Sequence, residues 1–431
     1  MSTAKNVFVL GMNELNRQRL ESLPRARRED VEFHTLLTYA ESHGAREYRI
    51  EDIHDRARRR LAAFAGPVDG IIGFWDFPVS TMLPMLCDEF GLVGPTLESV
   101  LRCEHKYWSR LVQHEAAPEV TPRFEAVDPY DDAATERLEM PYPFWLKPVK
   151  SFAGHLGFRI DGVEDLERAL PRIRRGLPRF SEPFQWVLDR AELPPEIEAR
   201  GAALCVAEEI IDGWQCTVEG VVLGGEVHVH GVVDSHRVDG MSVFDRYEYP
   251  SVLPEQVKRR MFDATRRVMR RIGYDDRAFN VEYFWDRDHD TLHLLEVNAR
   301  ISQSHSFLFQ KVDGVSNHAV VVGAALGEEP TWPQGEGPFE VAGKFFIRSY
   351  ADDGVVRRAP SEYHLERMRE IAPEAEIEIA AEEGAHLADL AYQDSYSYKL
   401  AVLYLAAEDR EALHRRREAV EEVLPFEVDE G

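Results

Sequence analysis

Apolar and polar positions alternate in blocks through the first hundred residues. Apolar runs bounded by glycine or turn residues predict buried strands at residues 5–11, 31–37 and 68–75. Apolar residues at helical spacing predict helices over residues 46–64 and 80–89. Strands that alternate with helices are typical of an open parallel sheet with helices on both sides. The GxGxxG fingerprint is absent from this region, so we expect it to support the site or bind substrate, not a dinucleotide.

The middle of the chain mixes helical and strand patterns. We predict a helix at 97–115, a loop or short helix at 128–139, a strand at 143–148, a helix at 163–175, strands at 203–211 and 216–230, a loop at 232–238 and a helix at 254–272. The last helix is the clearest, because its apolar stripe runs between Pro254 and Gly273. Composition shifts to a linker at residues 331–338, and a small mixed α/β unit follows. The predicted units are therefore residues 1–115, 116–205, 206–335 and 336–431.

Residues 279–305 place polar side chains within two strand-like runs on either side of a polar turn. The first run holds Glu282, and the second ends in Glu296, Asn298 and Arg300, each two residues from the next. Residues two apart in an extended strand point to the same side, so these three share one face. If the runs form a hairpin, Glu282 lies roughly opposite Glu296 on that face.

Two carboxylates and an amide oxygen on one face repel each other unless a cation lies between them. Hard oxygen donors of this kind suit Mg²⁺, usually shared with the phosphates of a nucleotide. Arg300 beside them can hold a phosphate or a carboxylate with two hydrogen bonds. The alternative is an amphipathic hairpin whose charged face is simply solvated. We favour the metal site for the full set of four residues.

Composition and charge exclude several classes of protein. The chain has 431 residues and a net charge of −26, which argues against nonspecific binding to nucleic acid or anionic membranes. No apolar run of eighteen residues could span a membrane, and the first residues lack a signal-peptide pattern. The cysteines are scattered without metal or redox spacing, so we expect a cytoplasmic protein with reduced thiols. Among the 51 basic residues only eight are lysines, which makes a lysine at a motif position informative.

Three further motifs are weak when taken singly. Lys147 precedes the small-residue loop 151–157, which could fold over phosphates with Gly154 and Gly157. The segment AEEIIDGWQC at 207–216 could read adenine through its backbone, or could be an ordinary strand end with a turn. Lys106 on a helix is by itself more often a solvated lysine.

The order of these motifs changes their interpretation. Lys106, then Lys147 before a small-residue loop, then EEIIDG at 208–213, then Glu282 with EVNAR at 296–300 together resemble the ATP-grasp superfamily. The resemblance covers roughly residues 1–330. It implies a fold of α/β and α+β units: an N-terminal parallel-sheet domain, two lobes that grip ATP, and a C-terminal lid unit. It also implies ATP and Mg²⁺ as cofactors, with Mn²⁺ as an alternative metal.

The resemblance further implies a role for each motif residue. Phosphates would contact Lys106, Lys147 and Gly157, and His155 would either touch phosphate or pack against its loop. The adenosine would lie against Glu208, Glu209, Ile210, Ile211 and Gln215, where Glu208 accepts from the adenine amino group. Magnesium would bind Glu282, Glu296 and Asn298, and Arg300 would steady an acyl phosphate. Gln215 stands where the family often has an acid for the ribose, which weakens that one contact.

The resemblance is to L-amino-acid ligases and biotin-carboxylase-like enzymes, and it implies a carboxylate–amine ligase. Such an enzyme phosphorylates a small carboxylate and lets an amine displace phosphate from the acyl phosphate. Residues 302–305, including Ser304 and His305, are expected near the acceptor, and Glu219 is expected to hold an ammonium group. A bicarbonate-phosphorylating carboxylase and a non-catalytic nucleotide-binding regulator are the alternatives. A homodimer is compatible with each of them, and the identity of the substrates stays open.

Overall fold

A computed structural model describes residues 4–27, 30–43, 49–151, 155–238, 241, 243–329, 331–351, 353–390 and 397–429. The strands are β1 (Lys5–Met12), β2 (Val31–Thr38), β3 (Gly70–Gly73), β4 (Phe124–Val127), β5 (Phe144–Pro148), β6 (Phe158–Ile160), β7 (Cys205–Glu209), β8 (Trp214–Leu223), β9 (Glu226–Arg237), β10 (Phe244–Tyr249), β11 (Arg277–Asp286), β12 (Thr291–Asn298), β13 (Val341–Ser349), β14 (Val355–Arg358), β15 (Glu376–Ile379), β16 (Tyr398–Ala407) and β17 (Glu427–Asp429).

The helices are α1 (Glu14–Glu21), α2 (Pro24–Arg27), α3 (Tyr39–His43), α4 (Ile50–Ala62), α5 (Val79–Glu89), α6 (Leu97–Glu104), α7 (Lys106–Ala116), α8 (Ala134–Arg137), α9 (Val163–Gly176), α10 (Pro178–Leu188), α11 (Pro195–Arg200), α12 (Glu255–Ile272), α13 (Ser306–Val312), α14 (His318–Ala325), α15 (Glu362–Ile371) and α16 (Arg410–Glu421). None of these helices is both long and apolar enough to cross a membrane.

The N-terminal sheet has three parallel strands in the order β2-β1-β3, which confirms the predicted parallel sheet. Val7 and Val9 of the central strand β1 are completely buried, as the unbroken apolar run requires. The carboxyl end of β3 leads directly to Trp75 and Asp76. Ligands of open parallel sheets bind at the carboxyl ends of the strands, so this edge faces the site.

The predicted helix at 97–115 is divided at His105 into α6 and α7. His105 has extended backbone, and its Nδ1 accepts a hydrogen bond from the N–H of Trp108 at 3.2 Å. Burial lowers the pKa of His105 to about 4, so the ring is neutral and can accept at this nitrogen. The break makes Lys106 the first residue of α7, beside Val149 of the loop that follows β5.

Beyond α7, a second sheet is antiparallel in the order β4-β7-β5-β6 and carries Lys147 on β5 and Glu208 on β7. The predicted strand at 203–211 is shorter than expected, because β7 ends at Glu209. The two isoleucines that follow lie outside the strand, ahead of a turn at Gly213 with a φ of 122°.

The largest sheet has eight strands in the order β12-β11-β8-β9-β10-β13-β16-β15. The predicted loop at 232–238 is wrong, because residues up to Arg237 belong to β9. Asp234 in this strand is buried and its carboxylate is satisfied: it accepts hydrogen bonds from Trp214 Nε1 at 3.0 Å and from Ser251 Oγ at 2.6 Å. Polar content therefore misidentified a central strand.

The same sheet runs across the predicted linker at 331–338. β10 pairs with β13, so β13, β16 and β15 of the C-terminal unit extend the sheet that carries the hairpin. The predicted boundary between residues 205 and 206 falls inside β7. The division into four units stays a prediction.

The hairpin β11–β12 has the register expected from the sequence. Glu282 pairs with Glu296 and Asn280 pairs with Asn298, with a register shift immediately after Glu282. The antiparallel partner on the other side of β11 is β8, where Thr217 pairs with Glu282.

Gly220 on β8 allows a close approach of neighbouring atoms in this sheet. A Cβ at this position would lie 2.5 Å from the carbonyl oxygen of His228 and 2.6 Å from the ring of Phe279. We expect Gly220→Ala to lower the free energy of unfolding by about 1–3 kcal/mol, because the backbone must shift to relieve the overlap. Urea denaturation followed by fluorescence measures the change.

The matched control is Gly323→Ala. Gly323 lies in helix α14, and a Cβ there would meet nothing closer than the Glu328 carboxylate at 4.0 Å. This variant should be at least as stable as the wild type, because alanine favours a helix more than glycine does. An equal loss of stability in both variants would contradict the proposed overlap.

Candidate active site

The paired carboxylates of the hairpin form the centre of the site. Asn298 Nδ2 donates to Asn280 Oδ1 at 2.9 Å and to Glu282 Oε1 at 3.3 Å, which leaves the Asn298 amide oxygen for another partner. Among the described residues no cluster of three or more His, Cys, Asp or Glu side chains could hold a metal alone. Two carboxylates and one amide oxygen fit Mg²⁺ when phosphates and waters complete its ligand shell, as is usual for this ion.

Cations from two other parts of the chain lie against this pair. Lys106 Nζ stands 3.6 Å from Glu296 Oε2 and 3.4 Å from the carbonyl oxygen of Ser151. Arg300 donates twice to Asp76, with Nε–Oδ1 and Nη2–Oδ2 distances of 2.7 and 2.8 Å. The hairpin is thereby tied both to the phosphate-loop region and to the carboxyl end of β3.

The two carboxylates have opposite pKa shifts. Burial, together with the charge of Glu296, raises the pKa of Glu282 to about 7. Burial also acts on Glu296, but Lys106 and Lys147 outweigh it and lower the pKa of that carboxyl. At neutral pH Glu296 is therefore ionised while Glu282 is partly protonated, as expected for two carboxylates held close together in a partly desolvated site.

The carboxylate of Glu208 accepts from Arg110 Nε at 2.8 Å and pairs with Lys147 Nζ at 2.5 Å. Burial raises its pKa, but the two cations prevail and lower it to about 2. Glu208 thus orients Lys147 in this structure, and its contact with the adenine amino group stays a prediction.

The segment after β7 only partly matches the predicted adenosine site. Ile210 and Ile211 are half-buried and lie in the connection to β8, where their backbone could meet a base. The carboxylate of Glu209 accepts from the Arg123 N–H at 3.1 Å. Gln215 donates to Glu282 Oε2 and accepts from Arg237 Nε, both at 3.0 Å, so its amide lies beside the carboxylate pair, and its contact with the ribose stays a prediction.

The predicted phosphate loop is described only at its two ends. Residues 152–154, and with them Gly154, lie outside the described part of the chain. The His155 ring packs edge-on against Phe180 with 5.2 Å between centroids, and its burial and Arg179 lower its pKa. Gly157 directly precedes β6.

Glu219 is fully buried and accepts hydrogen bonds from His305 Nδ1 at 2.7 Å, Asn317 Nδ2 at 2.9 Å and the Ser302 N–H at 3.1 Å. Both oxygens thus have partners within the protein, and the expected contact with a substrate ammonium group stays a prediction. These hydrogen bonds fix the conformation of the 302–305 segment, and His305 is buried together with Glu219. Ser304 Oγ accepts a hydrogen bond from Lys344 Nζ at 2.9 Å.

A cleft of about 390 Å³ adjoins the carboxylates. It is lined by the end of the N-terminal sheet, the eight-stranded sheet, the 300–305 segment and the C-terminal unit. Polar or charged lining residues include Asp76, Thr217, Ser235, Tyr247, Asn280, Glu282, Arg300, Ser302, Gln303, Ser304, His305, Lys344, Glu378 and Tyr404. The cleft has room for one or two small organic molecules.

Sequence patterns missed several of these residues. Asp76 could have been found, because it closely follows a strand of a predicted parallel sheet at the ligand-binding edge. Asn280 shares the face of Glu282 at a spacing of two. Arg110, Arg237 and Lys344 carry no local signal, because only tertiary contacts bring them to the site.

Comparison with known proteins agrees with this geometry. A family model for the ATP-binding domain of the carbamoyl-phosphate synthase L chain matches residues 247–329, which include the hairpin. The carbamoyl phosphate synthase large chain of Thermotoga neapolitana is 26% identical over an alignment of 262 positions, and this alignment covers 58% of this chain and 22% of that protein. The chain thus spans about a fifth of the length of this curated relative.

Solved structures match the whole chain. The L-amino acid ligase from Bacillus licheniformis superposes with a TM-score of 0.73 at 18% identity, over 100% of both chains. The biotin carboxylase domain of Hydrogenobacter thermophilus 2-oxoglutarate carboxylase, solved with MgADP and bicarbonate, gives a TM-score of 0.66 at 18% identity, over 100% of this chain and 91% of that one. The predicted ATP-grasp fold is confirmed.

The raised pKa of Glu282 predicts a pH-dependent stability in protein free of divalent cations. The pKa is about 7 when folded against an ordinary 4.5, so the folded state holds the extra proton. This group therefore costs no stability below about pH 4.5, and the cost grows as pH rises to about 7. Glu282→Gln removes this cost. The free energy of unfolding of the variant, compared with that of the wild type, should therefore be higher at pH 8 than at pH 5 by on the order of 2 kcal/mol.

Thermal unfolding with a chelator present at both pH values measures this difference. The control is Glu226→Gln at an exposed hairpin end, which should show no such pH dependence. Equal effects of Glu282→Gln at pH 5 and pH 8 would disprove the raised pKa.

Proposed function

We propose that this ATP-grasp protein is a ligase that joins a small carboxylate to an amine, using ATP and Mg²⁺ and releasing ADP and phosphate. The observation that carries the proposal is the convergence of Glu282, Glu296 and Asn298 with Lys106 and Arg300 beside a cleft of about 390 Å³. The likeness to an L-amino acid ligase over the full length of both chains supports it.

Each residue has a role in this proposal. Glu282, Glu296 and Asn298 would hold Mg²⁺, which when bound neutralises charge on the phosphates and orients them. Lys106 and Lys147 would contact the phosphates as compact cations. Catalysis then consists of positioning and charge neutralisation, as phosphoryl transfer requires.

Arg300 would bind the acyl phosphate formed when the γ-phosphoryl group reaches the carboxylate. Its two parallel hydrogen bonds to Asp76 have the geometry that a phosphate would present. Release from Asp76 would let Arg300 stabilise the intermediate while the amine attacks. Asp76 would thus keep the guanidinium oriented between turnovers.

Phosphorylation of bicarbonate is the second candidate reaction, since a structural neighbour was solved with that anion. The cleft is much larger than bicarbonate needs, which favours two organic substrates. Use of Mn²⁺ and a homodimeric state are further parts of the proposal. A cytoplasmic location is another part, supported by four buried free cysteines.

The first test measures ADP release with Mg²⁺-ATP and pools of amino acids, other carboxylates and amines. We expect release to require both a carboxylate and an amine, because the acyl phosphate must be consumed for turnover. Release that depends on bicarbonate alone would support the carboxylase instead. No stimulation of ADP release by any carboxylate–amine pair or by bicarbonate would favour the non-catalytic nucleotide-binding regulator.

The second test replaces Glu296 by alanine. We expect Mg²⁺-dependent ADP release to fall by about 10³-fold, because a lost ligand removes several kcal/mol of charge stabilisation. Circular dichroism should be unchanged, since the side chain is only partly buried. Glu226→Ala on the same sheet is the control and should retain full activity. Activity of Glu296→Ala near the wild-type level at ordinary Mg²⁺ concentrations would refute the metal site.

A further inference from the structure

Lys344 is a buried cation in the wall of the cleft. It lies on β13, its residue surface is 8% exposed, and it lines the cleft together with Tyr247, Ser304 and Tyr404. Burial lowers its pKa to about 8, which still leaves the ammonium charged at neutral pH. A charge removed from water in this way is costly unless a counter-charge meets it.

Within the part of the chain that the structure describes, no carboxylate meets the Lys344 ammonium at hydrogen-bond distance. The Nζ of Lys344 donates to Ser304 Oγ at 2.9 Å and lies 5.9, 5.1 and 5.4 Å from the ring centroids of Tyr247, Phe346 and Tyr404. No carboxylate of the described residues forms an ion pair with it. The rings and the hydroxyl hold the ammonium in place, but two of its three hydrogen-bond donors are left for a ligand.

Glu378 does not fill this role, although it also lines the cleft. Its Oε1 accepts from Tyr404 Oη at 2.9 Å, and it contributes only long-range attraction to Lys344. Lys399 opposes that attraction. The positive charge of Lys344 is therefore not neutralised at short range on the side that faces the cleft, and a bound anion would neutralise it.

The position of Lys344 in the sheet favours an anion other than the reacting carboxylate. Lys344 on β13 is separated from Glu282 on β11 by the strands β8, β9 and β10. Four strand spacings amount to on the order of 19 Å when measured along the sheet. The proposed function places the carboxylate to be phosphorylated beside Glu282 and Arg300, so Lys344 is positioned to meet another part of the bound substrates.

We propose that Lys344 is a specificity-determining residue that binds a second, non-reacting carboxylate at the far end of the cleft. This inference rests on the proposed ligase function. The carboxylate could belong to the amine substrate, which would then be an amino acid, or to the acid substrate, which would then be a dicarboxylic acid. Both present the same anion to Lys344 and Ser304.

The test compares the wild type with Lys344→Met, which keeps the length but removes the charge, and with Lys344→Arg, which keeps the charge. Lys311→Met is the matched control, because Lys311 packs over Phe307 and lies outside the cleft lining. One arm pairs each active amino acid with its carboxamide, and the other pairs each active dicarboxylic acid with its monoamide.

We expect Lys344→Met to raise the KM for the carboxylate form about 10- to 100-fold, as loss of a charge-assisted hydrogen bond predicts. The KM for the amide form and the kcat should change little, and Lys344→Arg should restore part of the preference. The arm that shows the effect identifies which substrate carries the carboxylate. Equal KM changes for acid and amide in both arms would overturn the proposal.

Thermal unfolding without ATP separates this inference from the proposed function. A panel of amino acids and dicarboxylic acids should raise the unfolding temperature of the wild type more than that of Lys344→Met, and the amides should not. This pattern without any ADP release would retain the anion site while the ligase function fails. No carboxylate-specific stabilisation across the panel, together with a less stable Lys344→Met, would assign the lysine a structural role and overturn the inference.

Discussion

Repulsion between two carboxylates that face each other across an antiparallel pair is the constraint on which the site depends. Glu282 and Glu296 are held opposite each other by the register of β11 and β12, and the hairpin cannot separate them without losing that register. Burial together with the charge of Glu296 raises the pKa of Glu282, so part of the cost of this arrangement is met by protonation. Cations from separate elements of the chain offset the remaining repulsion. The negative charge of the hairpin therefore determines which side chains lie beside it.

Each of those cations already has an acidic partner in the protein. The pairs are Lys106 with Glu296, Lys147 with Glu208 and Arg300 with Asp76. Such pairing keeps the cations oriented in a partly desolvated site at little net electrostatic cost. Binding a nucleotide and a divalent ion would exchange these partners instead of bringing bare charges together. That exchange explains why the acidic residues around the site outnumber the proposed metal ligands.

Sequence patterns predicted what local periodicity controls. The hairpin register and the helix α12 follow from spacings of two and about four residues, and the parallel N-terminal sheet follows from strand–helix alternation. Contacts between residues distant in sequence explain what these patterns could not predict. The motif position of Gln215 could not reveal that its amide contacts Glu282, and the buried hydrogen bonds of Glu219 come from residues about eighty to a hundred positions away. The segment that contains Asp234 was predicted as a loop because the residues that satisfy this buried carboxylate are distant in sequence.

The continuity of the eight-stranded sheet affects which substrates the cleft can distinguish. Hydrogen bonding runs without interruption from β11 through β8, β9 and β10 to β13, although the last strand follows the predicted linker. Glu282 and Lys344 therefore lie on one continuous sheet. The distance between them cannot adjust to a ligand as it could between two hinged domains. Within a homologous series, the protein would select by chain length: one number of methylene groups would span this distance, and shorter or longer members would lose contact at one end.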